Sequence, residues 1–128
     1  EVEVSMKRLL LLASLCWIPL IVSAHHSTNA NFTQEVISVE GVIERVRYQN
    51  PHASVLIKNT DEIGKETFWL IETTGKTTLE REGITMDTLV IGSKVTATGR
   101  KGRREYTMYL QKILLEDGYE FTPQADPN

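Results

Sequence analysis

Three histidines offer the most specific chemistry in this sequence. His25 and His26 are adjacent, at the point where an apolar run gives way to a polar stretch, and His52 stands in the step Asn50-Pro51-His52-Ala53. Neutral imidazole suits copper, zinc or nickel. If a peptidase cuts after Ala24, His25 becomes the first residue and presents two donors at once, its α-amine and its ring nitrogen. Together they can chelate one metal ion, with copper the first to test, and His52 supplies a third nitrogen if the intervening arm folds back. Such a site weakens as pH falls, because the α-amine titrates at about 7.7–8.0 and binds only when deprotonated. A plainer explanation competes. Two histidines after a leader can be short polar residues that the peptidase tolerates, and His52 can serve a strand start by bonding a backbone carbonyl. No other cofactor is indicated.

A second candidate is the basic loop Arg100-Lys101-Gly102-Arg103-Arg104. Arg100 and Arg103, with Asn50 and Trp69, form the candidate ligand-binding set. Basic loops flanked by aromatic rings hold single-stranded nucleic acid in some barrels, and Trp69, Tyr106 and Tyr109 are available for stacking. Against this, a charged hairpin is also simply a solvated one, and it discourages edge-to-edge association. The chain carries a net charge of −3, which excludes a bulk nucleic-acid binder. A glycan phosphate or a lipid head group is the expected anion, and no nucleic acid.

The carboxylates do not form a catalytic pair. Glu80 and Glu82 point apart on a presumed helix, and Glu40 and Glu44 share a strand face. Glu72 ends an apolar strand and is expected to pair with a cation such as Arg81. No Ser-His-Asp order, nucleophile elbow or phosphate-binding glycine loop is present. The chain therefore reads as a non-enzyme.

The elements that would position these groups begin with a leader. Met6-Lys7-Arg8 precedes the apolar run Leu9–Val22, and Val22-Ser23-Ala24 provides the short residues that a signal peptidase reads. Residues 1–24 fit a secretory signal peptide, of which 1–5 look like an over-extended start. The expected location is periplasmic or secreted, with no membrane insertion after cleavage. Cys16 is the sole cysteine and lies in this leader, so the mature chain has no disulfide and no thiolate metal site.

Residues 25–35 read as an arm, 36–121 as one β domain and 122–128 as a disordered tail. Strands are expected over 36–48, 52–58, 66–72, 94–99 and 106–115, from β-branched content, alternation and the turn residues between them. Gly41 suggests a bulge or sharp bend in the first strand. A short helix is expected over 77–83, capped by a threonine and ended by Gly83. Val42, Val46, Val55, Ile57, Phe68, Trp69, Leu70, Ile71, Leu79, Leu89, Val95, Leu110 and Ile113 make up the expected core. The order is that of a mainly β, five-stranded OB-fold-like partly open barrel, with one short helix between strands 3 and 4.

Several segments together carry a resemblance: Ala24-His25-His26-Ser27, Val39-Glu40-Gly41-Val42-Ile43, Tyr48-Gln49-Asn50-Pro51-His52-Ala53, Trp69-Leu70-Ile71-Glu72, Leu79-Glu80-Arg81-Glu82-Gly83 and Gly92-Ser93-Lys94-Val95. The chain resembles an uncharacterised family of small exported bacterial proteins with an N-P-H-A motif. Ser93 stands where that family usually has Asp, and Ser54 where it often has an aromatic residue. The resemblance implies an exported OB-like domain and brings no established activity. The expected function is a periplasmic binding module for a metal or small ligand near the mature N-terminus. The alternative is an envelope protein-interaction or stress component without metal, whose partner is another envelope protein.

Overall fold

The computed structural model describes residues 28–124. The leader, His25 and His26 lie outside the described residues, as do positions 125–128 of the expected tail. A single helical turn, α1 (Thr28–Asn31), leads into β1 (Phe32–Arg47), β2 (Ala53–Thr60), β3 (Glu66–Thr73), the short helix α2 (Lys76–Arg81), β4 (Lys94–Gly102), β5 (Thr107–Leu115) and the two-residue β6 (Glu120–Phe121).

One strand organises the sheet. The first part of β1 pairs with β4, from Phe32 opposite Gly102 to Val42 opposite Lys94. Its last part pairs with β2, from Val42 opposite Lys58 to Arg47 opposite Ser54. Val42 is the handover. Gly41 sits just before it because a Cβ there would run into the Lys58 carbonyl and come within 2.6 Å of Ile57 Cγ2. The sheet order is β3-β2-β1-β4-β5-β6, and β3 then pairs in parallel with β5. That last pairing bends the antiparallel sheet into a partly closed, OB-fold-like ring.

Alternation builds the core. Ala53, Val55 and Ile57 of β2 point inward, as do Val95 and Ala97 of β4 and Met108, Leu110 and Ile113 of β5. Ile43, Ile57 and Met108 are fully buried, each side chain contributing about 1.5–3 kcal/mol. The ring's open end is covered by α2 and the loop after it, through Leu79, Ile84 and Leu89.

Four expectations change in detail. The first strand starts at Phe32, not Val36: Phe32 is buried and its pairing with Gly102 extends the ladder through residues whose polarity suits an exposed edge. The register of β1 shifts against β2 at Glu44, between Ile43 and Arg45, and against β4 between Phe32 and Val36, rather than at Gly41. The α2 N-cap is Gly75, without a side-chain cap bond of its own. Phe68 is 49% exposed, since β3 turns Trp69 and Ile71 inward and Phe68 outward.

Candidate binding face

Register places residues of four strands in two parallel rows. Arg47 lies opposite Ser54, Ser54 opposite Glu72, and Glu72 opposite Tyr109. Beside it, Arg45 lies opposite Leu56, Leu56 opposite Leu70, and Leu70 opposite Thr107. The first row is polar and the second largely aliphatic. Rows two residues apart on a strand are separated by roughly 6.5–7 Å, and neighbouring strands by about 4.8 Å.

Three depressions follow these rows. Arg45, Arg47, Ser54, Leu56 and Leu70 line the first. The second, about 270 Å³, shares Arg47, Ser54 and Leu70 with it and adds Gln49, Pro51, His52 and Glu72. The third, about 520 Å³, lies beyond Glu72 and is bordered by Arg103, Arg104, Asn31, Phe32 and Thr107. Glu72 belongs to the second and the third, so the three run together as one groove across the strands. The groove lies on the β2–β3 face between the β1–β2 and β4–β5 loops, where an OB-fold binds its ligands.

The electrostatics favour one sign. Among the described residues, no carboxylate lies within ion-pair distance of Arg45, Arg47, Arg103 or Arg104. Lys58, farther along β2, is instead held by Glu44 at 3.3 Å and Glu66 at 3.5 Å. Its ammonium is pushed above the ordinary lysine pKa by the hydrogen bond to Glu44 and then by the charge of Glu66. Glu72, expected to pair with Arg81, instead stands in the groove between the two arginine pairs.

The residues expected to bind a ligand separate into two groups. His52 and Arg103 reach the groove. Asn50, Trp69 and Arg100 serve the fold. Asn50 Oδ1 accepts the Thr77 backbone N–H at 3.1 Å, and its Nδ2 donates to Thr77 Oγ1 at 2.9 Å, which caps α2 from the preceding loop. Trp69 packs on the core and meets Tyr106 edge-on, with ring centroids 5.4 Å apart. Arg100 donates to the carbonyls of Thr33 and Phe32 and to Asn29 Oδ1, fastening α1 to the barrel. It also lines a separate cavity of about 310 Å³ under α1, with Thr28, Thr73 and Leu110. No cluster of three His, Cys, Asp or Glu side chains suited to a metal occurs among the described residues. None of their helices is long and apolar enough to cross a membrane.

Arg104 belongs to the basic loop already offered as a candidate by the sequence, whereas Arg45, Arg47, Ser54, Leu56, Leu70 and Glu72 were not foreseen as a site. Arg45-Val46-Arg47 carries a signal, two cations facing one way on a strand, but its meaning depends on the register shift at Glu44.

The architecture defines an OB-type β-barrel domain with a basic groove across its face. The chain belongs to the family of unknown function DUF6152, whose model matches residues 14–110. No curated protein matches the sequence. Among solved structures, it is similar to the dimeric N-terminal domain of the PriB protein from Thermoanaerobacter tencongensis. That likeness has a TM-score of 0.49 and 13% identity, and it covers 65% of this chain and 97% of that one.

Proposed function

We propose that the protein is a non-catalytic binding module that holds an anionic ligand in the groove beside His52. The observation that carries this reading is the placement of Arg45, Arg47, Arg103 and Arg104 along one groove without carboxylate partners among the described residues. Guanidinium groups present paired donors that match phosphate and carboxylate. Such a concentration of cations in a chain of net charge −3 is not average surface. With a leader that directs export, the module works in the periplasm or outside the cell, where anions belong to glycans and lipid head groups.

The test is titration with inorganic pyrophosphate, followed by amide chemical shifts. Shifts at 45–47, 54–56, 70–72 and 103–107, lost on raising salt and in the R45E/R47E variant, are expected. Unchanged binding in that variant would sink the reading.

A second reading keeps the metal. Thr28 and Thr73 line one cavity, and Thr73 lies opposite Ala53, the neighbour of His52. His25 is three residues before Thr28, a span of at most about 10 Å, and the chelate requires the arm to fold back to His52. Copper added to the processed protein should then bind one-to-one and require His25, and an added N-terminal residue should abolish it. Metal-free protein that co-purifies with an envelope protein would favour the partner-binding alternative.

A further inference from the structure

We infer that the groove's ligand is an acidic saccharide, a short chain of sugars bearing carboxylate or phosphate groups, with Glu72 as the residue that selects it. The inference rests on the anion-binding reading of the groove.

The order of charges argues for it. From β1 across the sheet the groove presents Arg45 and Arg47, then Ser54, then Glu72, then Arg103 and Arg104. A continuous polyanion, such as a nucleic-acid strand or a polyphosphate, would lay a negative group against Glu72 while reaching both arginine pairs. Like charges brought together in this way are costly. A sugar chain avoids the conflict because each acid is flanked by hydroxyl groups and successive acids can turn to opposite sides of the chain. A hydroxyl can donate to the Glu72 carboxylate while acid groups on either side meet the arginines. Hydrogen bonds to an ionised acceptor are the stronger kind.

The two rows give an independent argument. A pyranose has polar edges and C–H faces. The polar row Arg47–Ser54–Glu72 runs beside the aliphatic row Leu56–Leu70, and Phe68 extends the apolar strip along β3. The separation of about 6.5–7 Å between rows is close to the width of one sugar ring. Single-stranded nucleic acid needs flat aromatic platforms. Here Trp69 is set edge-on against Tyr106, and Tyr109 packs against Phe32 at 5.4 Å, which leaves Phe68 as a single ring on the strip rather than a succession of platforms. From Arg47 on β1 across β2 and β3 to the β4–β5 loop with Arg103 and Arg104 is about three strand spacings, roughly 14 Å. That length suits a tri- or tetrasaccharide.

Glu72→Gln distinguishes the possibilities by the sign of its effect. The probes are a tetramer of galacturonate, the neutral galactose tetramer and a four-nucleotide single-stranded DNA, each titrated calorimetrically into the processed protein and its variants. Glu72 faces outward, so the variant should keep its thermal midpoint, and this is measured alongside. The galacturonate tetramer should bind, the neutral tetramer should bind at least tenfold more weakly, and E72Q should weaken galacturonate binding by about tenfold. E72Q should leave DNA binding unchanged or stronger. If E72Q strengthens galacturonate binding, or if DNA binds the unaltered protein more tightly than galacturonate, the saccharide inference is overturned while the anion groove stands. If R45E/R47E binds all three probes like the unaltered protein, the groove reading itself falls.

Discussion

Asn50 grips Thr77 twice, accepting its backbone N–H at 3.1 Å and donating to its hydroxyl at 2.9 Å. The loop that follows β1 is thereby locked to the first turn of α2, the helix that covers the end of the barrel. This bond does the work of a missing helix cap, since Gly75 has no side chain to satisfy the first turn.

Asn50→Ala should therefore destabilise the protein by about 1–2 kcal/mol, the usual cost of losing a side-chain cap. Asn50→Asp keeps the acceptor for the Thr77 amide and should cost less. Urea unfolding midpoints with an unchanged slope would check both. An alanine variant as stable as the original would show that the cap is idle.

Arg100 should matter locally. It donates to Thr33 O at 2.8 Å, Phe32 O at 3.2 Å and Asn29 Oδ1 at 2.8 Å. Arg100→Ala should accelerate amide exchange at residues 28–35 while the β2 and β5 amides stay protected. Arg100→Lys should rescue only part of this, because one ammonium cannot reproduce the guanidinium fork.

Tyr48 should set an alkaline limit on stability. Its hydroxyl donates to the Ile84 carbonyl at 2.6 Å. Burial, then the charge of Glu80, holds the phenol above its ordinary pKa, which is about 10. The unfolded chain thus loses this proton first as pH rises. The stabilisation is complete below about pH 10 and is lost as pH climbs through the folded value. Tyr48→Phe should cost about 1 kcal/mol at neutral pH and should flatten the decline in urea midpoint above about pH 10.

Gly99 should tolerate no side chain. A Cβ there would strike the Tyr109 carbonyl and come within 3.1 Å of the Gln111 amide, where the register of β4 against β5 shifts. Gly99→Ala should lower stability by about 1–3 kcal/mol, the range for overpacking. A thermal midpoint equal to that of the unaltered protein would contradict this.

Phe68 and Ile57 should respond in opposite ways. Ile57 is fully buried and Phe68 is 49% exposed. Ile57→Ala should cost about 2–5 kcal/mol, whereas Phe68→Ser should change stability by no more than about 0.5 kcal/mol. If Phe68 belongs to the binding strip, its loss should instead appear in the affinity for galacturonate.

Much of the fold was legible because burial leaves a period in the chain. Ala53, Val55 and Ile57 alternate with Ser54, Leu56 and Lys58, and such a run can only be a strand with one dry face. The start of β1 was hidden because Thr33, Gln34 and Glu35 occupy an irregular stretch between the Phe32 and Val36 pairs, where polar residues look like loop. Phe68 misled because aromatic character reports size, not direction. The basic loop was visible as a run of charges, and its counterpart at Arg45 and Arg47 was not. Those two arginines become part of a site only when cross-strand register aligns them with Ser54, Leu56, Leu70 and Glu72. Register is set by the shift at Glu44, which no local feature announces. The capping role of Asn50 depends on a contact 27 positions away, a separation that local sequence patterns do not encode.

Among the described residues the ring is closed by three parallel pairs, Leu70 with Thr107, Ile71 with Met108 and Glu72 with Tyr109. A guest reaching from Arg47 to Arg103 would lie straight across that seam and act as an external staple. Occupancy and closure would then be one event, with a filled groove tying the short parallel join of the barrel more firmly.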